Sequence, residues 1–85
     1  MELRILYFAR LREALAVREE QVEVAASVST IADLRAWLSA RGGVWAHEFA
    51  PERQLRVAMQ QQVVDADTCL VAGAELAFFP PVTGG

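Results

Sequence analysis

Only one stretch of this chain, from about Thr30 to Arg41, has the length and periodicity of a long amphipathic helix. Its apolar stripe is Ile31, Leu34, Trp37 and Leu38. Thr30 is a suitable N-cap, and Asp33 stands in the first turn, where a carboxylate favours the positive end of the helix dipole. Arg41 suits the opposite end, and Gly42-Gly43 stops the helix. A domain of 85 residues with one such helix must bury the stripe against a sheet.

The strands follow from short β-rich runs. Glu2 to Phe8 alternates imperfectly around Leu3, Ile5, Leu6, Tyr7 and Phe8, and Val22 and Val24 alternate with polar residues between Glu20 and Ala25. Between these two, Ala9 to Glu19 reads as a short helical turn inside a hairpin connection. Its Arg/Glu mixture, from Arg10 to Glu20, is expected to be a solvated face with local pairs. Val44 to Arg53 reads as a connecting loop, in which Trp45 and Phe49 either cap the core or extend a binding surface. Two further strands fit Leu55 to Met59 and Gln62 to Val64, and the last runs from Glu75 to Phe79, entered through Gly73.

That order predicts an α+β, ubiquitin-like β-grasp over residues 1–79, a mixed sheet packed on one main helix that joins an edge pair to the far side. A split βαβ arrangement would need a second long helix.

Composition narrows the function. Hydrophobic residues make up 54% of the chain, enough for one core. Cys69 is the only cysteine and His47 the only histidine, which removes disulfide and zinc frameworks and leaves no nucleophile–base pair. Cys69 is expected to be a buried or half-buried structural thiol, His47 a surface loop residue, and Trp37 part of the core. A net charge of −3 gives no electrostatic footprint for nucleic acid. No charged leader or bilayer-length apolar run is present, so no membrane partner and a cytoplasmic location are expected. All eight basic residues are arginine, so the chain has no side-chain amine on which to polymerise itself.

The chain ends Phe78-Phe79-Pro80-Pro81-Val82-Thr83-Gly84-Gly85. Alternation puts one phenylalanine in the core, and the expectation is Phe78 inside and Phe79 outside. Two prolines fix φ, remove two N–H donors and prevent the sheet ladder from continuing, so residues 80–85 are expected to form an extended tail pointing away from the body. From Val82 onward an extended chain reaches roughly 13 Å, with bare backbone past Thr83. Terminal glycines cost entropy on ordering and bury nothing, so the ending is suited to presenting the Gly85 carboxylate inside a narrow partner tunnel.

Three blocks together, Tyr7-Phe8-Ala9-Arg10-Leu11-Arg12-Glu13, the helix positions Thr30, Leu34-Arg35 and Leu38, and Glu75 through Gly85, resemble the small subunits of molybdopterin synthase, a family of ubiquitin-like sulfur carriers. The last block is the specific one. Ala74 stands where that family commonly has Asp in a Gly-Asp-Glu turn, and Gln60 where it has Asn. The resemblance implies that Gly85 carries an acyl-adenylate and then a thiocarboxylate, with Gly84 keeping access open. It implies ATP consumed by a ubiquitin-activating-type adenylyltransferase, a separate sulfur donor, no bound cofactor or metal, and no catalysis by the carrier alone. The sulfur acceptor would be a cyclic pyranopterin monophosphate, on which two transfers build the dithiolene of the molybdenum cofactor. The partner would be the large subunit of molybdopterin synthase, in a heterotetramer of two small and two large subunits, docked on Val63, Phe79, Pro80, Pro81, Val82 and Thr83, with Arg12 as a rim ion-pair partner. The same ending also serves a protein modifier or a carrier for thiamine synthesis, and a noncovalent binding module would leave the tail idle.

Overall fold

Strict alternation along β1 (Glu2–Tyr7) orients the whole sheet: Leu3, Ile5 and Tyr7 are buried, while Glu2 and Arg4 face out. The structure is a computed structural model that describes residues 1–81; Val82, Thr83, Gly84 and Gly85 lie outside the described residues. After β1 come α1 (Ala9–Leu15), β2 (Glu19–Glu23), α2 (Ile31–Ser39), α3 (Gly43–Glu48), β3 (Arg56–Met59), β4 (Gln62–Val63) and β5 (Glu75–Phe79). The strands form one sheet in the order β2-β1-β5-β3-β4. β1 and β5 run parallel at its centre, and the other pairs are antiparallel. A parallel pair cannot be joined by a hairpin, so everything between β1 and β5 serves as the crossover, with α2 leading from the β2 edge to the far side. This is the β-grasp expected from the sequence.

α2 starts as its residues require. Thr30 Oγ1 accepts from the Asp33 N–H, while the Asp33 carboxylate accepts from the backbone N–H groups of Thr30 and Ser29. Ile31, Leu34 and Leu38 then enter the core with Leu3, Ile5, Leu76 and Phe78. Trp37 is only partly buried: it packs on the rim of the core, with the Arg41 guanidinium 5.0 Å from its ring centre.

The segment Val44 to Arg53 is not simply a loop. Gly42 and Gly43 both adopt positive φ (79° and 54°) and turn the chain into α3, which seats Trp45 and Phe49 one turn apart. Phe49 is buried edge-on against Phe78, and Trp45 packs on Tyr7 and Phe49, so both aromatics serve the core. α2 itself ends earlier than expected, at Ser39 with Ala40 as its C-cap, so Arg41 lies beyond its last turn and the glycine pair serves the entry to α3, not the end of α2.

The charges from Arg10 to Glu20 do not pair locally either. Arg10 reaches Glu48, Glu19 pairs with Arg4, and Glu20 accepts both nitrogens of Arg41 together with the Tyr7 hydroxyl. Folding brings these partners from other elements, which sequence spacing does not reveal. Glu48 itself is 4% exposed and takes Arg10 and Arg53 at 3.2 Å each, tying α1 to the segment before β3.

Burial pushes the Glu20 carboxyl up, but the hydrogen bonds from Arg41 and Tyr7 outweigh it and hold Glu20 below its ordinary value. Asp33 is held low by the backbone N–H groups of Ser29 and Thr30. Both groups bind protons more weakly in the folded chain, so their stabilisation is complete above the unfolded carboxyl pKa. It is lost as pH falls through the lower folded values, so stability declines from about pH 4 downward. Denaturant midpoints between pH 7 and pH 3 should show Glu20→Gln weaker than the parent at neutral pH, with the gap closing in acid. A gap that stays constant would exclude Glu20 as a source of the acid-induced loss.

Candidate functional site

The two faces of the sheet are unlike. One is covered by α2 and the core, and the opposite face carries the alternate residues of each strand. Register places Leu6 beside Ala77, Ala77 beside Ala58, and Ala58 beside Val63, a continuous apolar row across four strands. At about 4.8 Å between strands the row spans roughly 14 Å. Its centre is lined by two alanines, so it forms a shallow trough between Leu6 and Val63. Val63 is 62% exposed.

Next to this row, towards the end of β5, lie Phe8, Phe79 and Arg56. Phe79 pairs with Arg56, and the Phe8 N–H donates to the Phe78 carbonyl at 3.1 Å, which continues the β1–β5 register past Tyr7. Phe78 is 1% exposed and Phe79 half-buried, as the alternation predicts. Phe8 is 45% exposed, a large apolar side chain in a place where the core has no use for it. In sequence Phe8 is simply the last member of the first apolar run. Extending the alternation of Leu3, Ile5 and Tyr7 by one residue would have put it, with Leu6, on the open face.

The proposed contact residues are thus partly gathered. Val63 and Phe79 share the open face, and Arg12 is exposed on α1, whose first turn closes through the Arg12 N–H to the Phe8 carbonyl. Pro80 and Pro81 are half-buried, and Pro81 lines a groove of about 930 Å³ with Ala36, Leu55 and Val64. The first two tail residues therefore rest against the body and do not project clear of it. Val82, Thr83, Gly84 and Gly85 lie outside the described residues.

Arg35, which also lines the groove, fastens the segment 49–53 to α2. Its guanidinium donates to the carbonyls of Phe49, Ala50 and Arg53, and burial lowers its pKa from the ordinary value. These bonds hold the segment leading into β3, the strand that pairs with the last residues of β5.

The substitution at Gln60 has a structural consequence. Gln60 and Gln61 are the central residues of the β3–β4 hairpin, and both have positive φ (51° and 70°), a conformation that Asn and Gly adopt more readily. Gln60 compensates by accepting the Glu75 N–H on its side-chain oxygen at 3.0 Å, which pins the start of β5. Ala74 is buried beside it.

Cys69 is exposed, contrary to expectation, because its neighbour Leu70 takes the inward position. His47 is on the surface as predicted, but in the last turn of α3 and not in a loop. Among the described residues no group of His, Cys, Asp and Glu could hold a metal ion, and no helix is long and apolar enough to cross a membrane.

The sequence profile of the ThiS family matches residues 5–85, from within β1 through the glycine pair. The chain belongs to the ThiS family. It is 40% identical over 83 residues to the molybdopterin synthase sulfur carrier subunit of Escherichia coli K12, covering 98% of this chain and 99% of that one. Among solved structures it is similar to molybdopterin converting factor subunit 1 of Pyrococcus furiosus, with a TM-score of 0.79 and 25% identity over 96% of this chain and 99% of the other. SAMP1 of Haloferax volcanii, a small archaeal modifier protein, superposes with a TM-score of 0.74 and 26% identity over the full length of both chains. These solved structures share the β-grasp over nearly the whole of this chain.

Proposed function

We propose that this chain is the sulfur carrier subunit of molybdopterin synthase, with the Gly85 carboxylate as its working group. The observation that carries this reading is the 40% identity to the E. coli carrier subunit over nearly the full length of both chains, combined with an apolar, partly exposed surface at the root of a Gly-Gly tail. In this reading residues 1–79 are the docking body and residues 80–85 the tail.

The chemistry explains the need for partners. A carboxylate resists attack because its charge is delocalised and its oxygen leaves poorly. An adenylyltransferase of the ubiquitin-activating type couples it to ATP, releasing pyrophosphate and leaving an acyl-adenylate at Gly85. Sulfur that a donor delivers at the oxidation level of sulfide then attacks the carbonyl carbon, AMP departs as the leaving group, and a thiocarboxylate remains. After docking to the large subunit, that sulfur bonds to a side-chain carbon of the cyclic pyranopterin monophosphate as a carbon–oxygen bond at that carbon breaks and the oxygen leaves, and water then cleaves the acyl–sulfur bond to return the carboxylate. The carrier contributes position and a reactive end, and the large subunit contributes catalysis. Because each carrier brings one sulfur, docking must be reversible, as a compact apolar patch of Phe8, Val63 and Phe79 with an Arg12 rim allows.

The test is intact mass after incubation with ATP, the adenylyltransferase and a sulfur donor. The expected gain is the difference between sulfur and oxygen, mapped to Gly85. The likeness to a small archaeal modifier protein favours a second reading, in which activated Gly85 ends in an amide bond on a target lysine. No gain in mass, together with recovered conjugates, would replace the carrier reading by that one.

A further inference from the structure

The open face of the sheet is charged on both sides of its apolar row, but only one side is balanced. Away from the tail, Arg4 is opposite Glu75 and pairs with both Glu19 and Glu75, so that edge is closed by its own ion pairs. Towards the tail the row is bordered by Phe8, Phe79 and Arg56. Arg56 is exposed, lies directly across from Phe79 in the register, and has no ion-pair partner among the described residues. It stands one strand spacing, about 4.8 Å, from the backbone of the residue that leads into the tail.

From this asymmetry we infer that Arg56 is a specificity element of the docking face, meeting a carboxylate on the large-subunit surface that covers Phe79. The inference rests on the carrier reading and adds to it the chemistry of the partner. An apolar ridge fills the Leu6–Val63 trough, and an acidic group at its tail-side border answers Arg56. A guanidinium bordering an apolar patch becomes partly desolvated when the patch is covered. Left unpaired it opposes docking, and paired with a carboxylate it fixes register and rejects surfaces that lack one. Arg12 is exposed on α1, whose first turn closes on the Phe8 carbonyl, so the two arginines stand on different elements. A partner satisfying both would be held in one orientation relative to the tail.

The experiment is titration calorimetry of the full-length carrier against its cognate large subunit at two salt concentrations, with Arg56→Gln, Arg56→Glu and Val63→Asp variants. Arg56 is exposed, and thermal melts of its variants should overlay the parent. Arg56→Glu is expected to weaken docking by about tenfold or more at low salt, and Arg56→Gln by less while flattening the salt dependence. Val63→Asp places an unpaired charge in the trough and should abolish measurable docking. If Val63→Asp does so while Arg56→Glu stays within about twofold of the parent, or binds more tightly, the carboxylate at Arg56 is refuted and the docking face stands. If Val63→Asp docks normally, the face itself is wrong and the inference falls with it.

Discussion

Deleting Gly85 should abolish thiocarboxylate formation while leaving the fold and docking to the large subunit in place. The deleted chain still ends in a glycine carboxylate, that of Gly84, so the chemical group survives and only its position changes. One extended residue is worth roughly 3.5 Å. Bond formation tolerates far less, since displacement of a reacting atom by about 1 Å can cost on the order of a hundredfold in rate. Restoring the length with a different last residue, Gly85→Val, should not rescue the activity fully, because a branched side chain beside the carbonyl crowds the pocket around the acyl-adenylate. The fold is indifferent, because the last core residue is Phe78. Intact mass after activation, with a melting curve alongside, measures both halves. A Gly85-deleted chain that takes up sulfur at the parental rate would contradict a length-matched tail, and one that no longer melts cooperatively would make the tail part of what holds the domain folded.

Much of this was legible in the residues because the signals were local. The capping pair Thr30–Asp33 and the stripe of Ile31, Leu34 and Leu38 mark α2 without reference to the rest of the fold. Alternation requires that one of Phe78 and Phe79 be buried as soon as the final run is taken as a strand, and Phe78 is the one inside, as expected. What could not be read depends on partners distant in sequence. Glu48 is ordinary until Arg10, from α1, and Arg53 converge on it. Arg35 is a surface helix residue until three carbonyls of the segment 49–53 are folded beneath it. The open-face row was half visible: Leu6 and Phe8 follow from period two, but its continuity through Ala77 and Ala58 to Val63 needs the register of four strands. Arg56 gains its meaning only from that register, since nothing near it in sequence places it beside Phe79.

Phe78 and Phe79 are adjacent in sequence and should separate stability from recognition. Phe78 is buried among aromatic partners, edge-on to Phe49 at 5.3 Å between ring centres and stacked with Tyr7 at 6.4 Å. It also lies in register with Tyr7 on one side and Val57 on the other, so removing its ring opens a cavity where three strands meet. Phe78→Ala should cost about 3–5 kcal/mol, a large part of the roughly 5–15 kcal/mol that holds a domain folded. The Phe78 backbone carbonyl that accepts the Phe8 N–H is kept in this variant, so Phe8 stays aligned with Phe79 in the molecules that remain folded. Phe79→Ala removes a half-buried ring from the opposite face, where no cavity forms, and should shift the denaturant midpoint little while weakening docking severely, as loss of a central aromatic anchor does. Urea denaturation and calorimetric titration of the two variants test the separation directly. Comparable destabilisation by both would mean that Phe79 belongs to the core, and undiminished docking by Phe79→Ala would move the recognition surface away from the root of the tail.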